Sequence, residues 1–153
     1  MKTTLFFSVL FAALFLFPFE QISAQEEDMY EGGTVWSLTF VRTVANKTDD
    51  YLNGLANTWV ASMEEAKKEG LILDYKILQG NAANKDDYNL VLMIENKNLA
   101  TFDPNKQRDD AFDAIQKKVQ DKMGDEFKTT VANYENIRDL QGTKIMREIH
   151  LKK

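Results

Sequence analysis

The chain has no cysteine, a single histidine and only two prolines in its 153 residues. Without cysteine it forms no disulfide, carries no lipid-modified cysteine, and offers no thiolate metal site, cysteine-linked haem or thiol nucleophile. His150 alone cannot build the multi-histidine site of a catalytic zinc or the facial triad of a non-haem iron. Carboxylates leave calcium open, but Asp103, Asn105 and Gln107 lack the following glycine and distal glutamate of an EF-hand loop, so that run reads as a helix cap. No cofactor and no metal are therefore expected. A basic excess is missing too: 19 Lys and Arg stand against 24 Asp and Glu, a formal charge of -5. This balance argues against phosphate-backbone binding, and nucleic acid is not an expected partner. Glycine-rich phosphate loops, a nucleophile elbow and Cys-His pairs are absent as well, which leaves nucleotide chemistry and hydrolase action without support.

There is one long hydrophobic run. Lys2 precedes Leu5 to Phe19, apolar but for Ser8, and Ile22-Ser23-Ala24 ends in a small residue. The run is shorter than the roughly twenty apolar residues of a membrane-spanning helix, and Pro18 and Glu20 close it. Residues 1–24 read as a cleaved signal peptide, which implies a periplasmic or secreted protein with no membrane span after cleavage. Lys2 and Glu20 leave together, so the mature charge is unchanged. Residues 25–33, acidic and ending in Gly32-Gly33, read as a flexible leader, and 34–153 as a single domain long enough for its own core. Packing and oligomerisation must supply the stability that disulfides give other small exported domains.

Within that domain the periodicity changes repeatedly. Thr34 to Thr43 sets Trp36, Leu38 and Phe40 against Val35, Ser37, Thr39 and Val41, as in a strand. Thr48, with Asp49 and Asp50 behind it, predicts a helix start, and Leu52, Leu55, Trp59, Met63 and Ala66 recur at helical spacing up to Gly70. Gly54 inside this helix implies close approach of helix to sheet. Leu71 to Leu78 and Tyr88 to Glu95 predict two further strands around a polar loop at 79–87. Asp103-Pro104 predicts a second helix with Phe112, Ile115, Val119 and Met123 on its buried stripe. Beyond Gly124, Phe127, Val131, Tyr134 and Ile137 or Arg138 predict another helical piece. Gln141-Gly142 reads as a turn into a last strand, Thr143 to Leu151. The near-repeats Ala45 to Tyr51 and Ala83 to Tyr88 reflect shared turn chemistry, not duplication.

The order β-α-β-β-α-(α)-β with right-handed crossovers predicts an α+β, ferredoxin-like fold: a four-stranded antiparallel sheet with helices on one face. In element order and size the domain resembles the dimeric α+β barrel group of ferredoxin-like proteins. The segments Val35 to Val41, Glu69 to Tyr75 and Ile137 to Lys144 are similar to those of small exported bacterial proteins with no assigned activity. The resemblance implies a homodimer. Related ferredoxin-like dimers include cofactor-independent oxygenases and haem degraders that use the cleft between sheet and helices. This chain departs from the haem degraders, because Asp103 to Met123 contains no histidine.

The candidate ligand-binding residues are Trp36, Phe40, Trp59, Tyr75, Phe112, Arg147 and His150. The aromatics either surround a cavity between sheet and helices or simply form core. Arg147 interrupts Ile145, Ile149 and Leu151, so its guanidinium either meets an anion or runs out to water along the sheet edge. Glu148 and His150 lie two apart on a strand and project together, a weak acid-base pair. With every apolar-rich row turned to the helices, the other face gathers Ser37, Thr39, Asp74, Lys76, Val91, Met93, Met146, Glu148 and His150. Such a face either packs on a second subunit or lines a polar pocket. The function expected is an exported, non-catalytic homodimeric module that binds a small apolar or aromatic molecule. The alternatives are a cofactor-independent oxygenase or isomerase acting on an aromatic compound, and an envelope protein-interaction module.

Overall fold

The computed structural model describes residues 29–153. The expected signal peptide and the leader up to residue 28 lie outside them. Four strands, β1 (Tyr30–Thr43), β2 (Asp74–Gln79), β3 (Leu90–Asn96) and β4 (Arg138–Leu151), form one sheet in the order β2-β3-β1-β4. All three pairings are antiparallel. Helices α1 (Thr48–Leu55), α2 (Ala61–Lys68), α3 (Lys106–Met123) and α4 (Asp125–Ile137) complete the domain. This is the ferredoxin-like α+β arrangement, with the crossover β1-α-β placing β3 between the two strands that the first helical segment connects.

The core lies between the helices and one face of the sheet. Val41, Leu90 and Leu92 pack with Tyr51, Leu55, Tyr134 and Ile137, and a second group joins Met63, Ala66, Ile72 and Ile115. Strand register decides which rows take part. Val41 pairs with Leu90, Thr39 with Leu92 and Ser37 with Ile94. Cross-strand partners share a face, so Val35, Ser37, Thr39 and Val41 point toward the helices. Trp36, Leu38 and Phe40 point away, together with their partners Glu95, Met93 and Val91. The sequence-based expectation that the more apolar row of β1 faces the helices is therefore reversed. The greasier β3 row of Leu90, Leu92 and Ile94 does face them, and β1 follows its partner.

Several boundaries move for identifiable reasons. β1 begins at Tyr30, not Thr34, because Tyr30, Glu31 and Gly32 pair with Leu151, His150 and Ile149. Gly33 and Thr34 then bulge opposite Glu148, so the glycines expected to loosen a leader lie inside the strand. Gln141-Gly142 is no turn. β4 runs on from α4 at Arg138, and Gln141 is the extra residue of a bulge beside Gly142, whose φ of 142° suits glycine. The second helix opens at Asn105, whose side chain accepts from the Arg108 amide at 3.0 Å, and not at Asp103-Pro104. Lys47 occupies the cap position of α1, while the Thr48 hydroxyl lies 2.6 Å from that of Thr43.

A turn of π-helix, Ala56–Val60, joins α1 to α2. The Thr58 hydroxyl, on this turn, bonds the Gly54 carbonyl at 2.9 Å and the Tyr134 hydroxyl at 2.6 Å. Gly54 does mark a close approach, but to α4 and not to the sheet: a β-carbon there would stand 2.8 Å from the Tyr134 ring. Among the described residues no helix is long and apolar enough to cross a membrane.

Candidate functional site

Three of the seven candidate residues meet on the helix side of the sheet. Trp59 and Tyr75 pack edge to face with ring centroids 5.4 Å apart, and both lean with Phe112 against the Met63 and Ile115 core. Tyr75 donates its phenol to a Glu64 oxygen at 2.5 Å. That bond, with a further contribution from burial, pushes the Tyr75 pKa up to about 12. A cavity of 260 Å³ opens among Trp59 and Met63 on the first helical segment, Phe112 and Ile115 on α3, and Phe127 on α4. Spacing marks Phe127 as part of the stripe of its own helix but not as a cavity residue, because the period of one helix does not reveal which side chains of another stand opposite it.

Trp36 and Phe40 lie on the opposite face of the sheet. The Lys76 ammonium sits 4.6 Å above the Trp36 ring, and Phe40 packs on Tyr88 at 4.6 Å with Lys144 at 5.7 Å. Leu38, Val91 and Met93 continue this apolar strip on β1 and β3. At its margins Leu78 and Met146 are 52% and 54% exposed. Among the described residues no helix covers the strip. Its rim carries charge of both signs: Lys67 bridges to Asp74 at 2.7 Å, and Thr34 donates to Glu95 at 2.7 Å and to Glu148 at 3.3 Å.

Arg147 and His150 occupy a third place, the far end of β4, where both are exposed. The Arg147 side chain crosses Gly32 so closely that a β-carbon there would lie 3.1 Å from its Nη1. This is the edge-hugging course with its charge in water. His150 and Glu148 do project together, over Gly33. The seven residues are thus divided among a helix-side cluster, an uncovered face and a strand end. Among the described residues no three His, Asp or Glu side chains group as a metal-binding set.

One further cluster was hidden from the spacing. The Arg138 guanidinium lies over Tyr134 at 5.4 Å and Tyr51 at 5.7 Å, and these two rings meet edge to face at 5.1 Å. Its Nε is buried with no hydrogen-bond partner among the described residues. Burial raises the Tyr51 pKa to about 12 against the opposing pull of Arg138, and burial likewise raises that of Tyr134.

No protein-family model matches the chain, and no curated protein matches it. Solved structures similar to it include HapK from Hahella chejuensis, 12% identical over 74% of this chain and 91% of its own, with a TM-score of 0.45. A dimeric ferredoxin-like protein from an uncultured marine organism is 13% identical over 80% of this chain and 91% of its own, with a TM-score of 0.41. The assignment of the fold rests on the strand order and pairing described above.

Proposed function

We propose that the protein is an exported, non-catalytic homodimer in which two uncovered sheet faces pack together, and that it carries a small apolar or aromatic molecule. The strip of half-buried Trp36, Leu38, Phe40 and Met93, on the sheet face that no described helix covers, carries this reading. An apolar surface contiguous across the central strands is costly to leave in water, and face-to-face sheet packing removes it. The lysine stems over Trp36 and Phe40 are flexible enough to swing to the rim. There, Lys76 and Lys144 of one copy find Asp74, Glu95 and Glu148 of the other across a twofold axis, since a self-complementary patch needs both signs. The apolar run at residues 5–19 supports export. Sedimentation equilibrium of the mature chain tests the reading: the mass of two chains at micromolar concentration supports it, and a single-chain mass at high micromolar concentration overturns it.

A further inference from the structure

We infer that the cavity bounded by Trp59, Met63, Phe112, Ile115 and Phe127 is a binding site for an uncharged, two-ring aromatic molecule that presents one hydrogen-bonding group to Gln116. The inference deepens the ligand half of the reading above and rests on it, but it is independent of the dimer.

Size sets the first constraint. An enclosed apolar cavity of about 150 Å³ accepts benzene, and this cleft, open to solvent on one side, is 260 Å³, room for a fused pair of rings. Wall chemistry sets the second. Trp59 and Phe112 are half-buried large aromatics held by their neighbours on the core side, so each presents a ring to the opening. Flat apolar walls of this kind receive a flat apolar guest. None of the lining side chains is charged. A charged ligand would lose its hydration there and find no counter-ion, which selects a neutral one.

Polar groups at the cavity set the third constraint. The Thr58 hydroxyl is engaged with Tyr134 and the Gly54 carbonyl, and Ser62 bonds the Thr58 carbonyl at 3.0 Å. The Thr58 hydroxyl and the Ser62 hydroxyl proton are therefore committed to the π-helical turn. Gln116, exposed at the rim, remains to meet a polar atom of the guest with either end of its amide. The turn matters to the site because its extra residue shifts Trp59 around the helix relative to an uninterrupted one.

The test titrates the full mature protein with indole, with 1-methylindole and with indole-3-acetate, and follows the indole N–H resonance of Trp59 in a Trp36→Phe background. Indole is expected to give a saturable shift. Methylation, which removes the donor to Gln116, and the added carboxylate are each expected to weaken binding by up to about tenfold, the upper end of what one net hydrogen bond contributes. Ser62→Leu, which fills the cavity, is expected to abolish the shift. Gln116→Ala, at an exposed position where folding is undisturbed, is expected to make indole and 1-methylindole bind alike. No saturable shift in the Trp36→Phe protein, or equal binding of all three probes by the unaltered cavity, overturns the inference. A dimer that ignores indole removes this site and leaves the dimer standing. A monomer that binds indole does the reverse.

Discussion

Gly54 on α1 and Tyr134 on α4 touch without any side chain between them: a β-carbon at position 54 would stand 2.8 Å from the tyrosine ring edge and 3.0 Å from its hydroxyl. This approach brings the Tyr134 hydroxyl to Thr58 at 2.6 Å and seats its ring against Tyr51. Gly54→Ala gains up to about 1 kcal/mol of helix propensity, while overpacking a filled contact costs about 1–3 kcal/mol. The ring cannot retreat, since Tyr51 and Ile137 pack in the same cluster. A net loss of about 1 kcal/mol is expected in urea unfolding, and a variant as stable as the parent would show that the contact yields freely.

The tyrosine pair also makes stability fall in alkali. An unfolded tyrosine ionises near pH 10, whereas buried Tyr51 keeps its proton to about pH 12. Between these values the folded state binds the extra proton. The stability this gives is whole below pH 10 and declines as pH rises toward 12, by about 1.4 kcal/mol per pH unit. Tyr134 shifts in the same direction and adds to the slope. Denaturant midpoints measured from pH 8 to 11.5 should drop steeply above 10, and Tyr51→Phe should flatten the curve. An equally steep fall in that variant would place its origin elsewhere.

Asn89 ties the start of β3 to the end of β1. Its oxygen accepts from the Thr43 amide at 2.9 Å, and its amide donates to the Thr43 hydroxyl at 2.7 Å. Thr43 is buried, so Asn89→Ala leaves polar groups without partners at a cost of about 1–3 kcal/mol. Hydrogen exchange should quicken at Thr43 first, and a loss spread evenly over the sheet would count against this local account.

Leu38→Glu places a carboxylate in the middle of the uncovered strip. The mature protein is expected to become monomeric in sedimentation while keeping its far-ultraviolet dichroism, because Leu38 points away from the intramolecular core. Unfolding instead of dissociation would mean that the strip supports the monomer itself.

The element pattern could be read from particular residues. Leu90, Leu92 and Ile94 announce a central strand, Ile115 and Val119 the buried stripe of α3, and Tyr134 and Ile137 that of α4; all are buried or packed on the core. Element ends were harder to place. Asp103-Pro104 and Asn105 are rival openings within three residues, and Gly142 serves a turn or a bulge equally well until a partner strand is present. Five of the seven candidate ligand residues were recognisable as large aromatics, but not as companions. Trp59, Tyr75 and Phe112 share one side of the sheet while Trp36 and Phe40 occupy the other.

Local periodicity determined by itself the kind and order of these elements, because a strand repeats every two residues and a helix every 3.6 whatever surrounds it. Those spacings, with the lengths of the connections, lead to the ferredoxin-like plan. Only tertiary structure decided which row of β1 meets the helices, since alternation is symmetric between the two faces of a strand and a single bulge exchanges them. The pairing of Val41 with Leu90 settles that choice, and with it the placement of Trp36 and Phe40 on the sheet face away from the helices, the surface on which the proposed assembly depends.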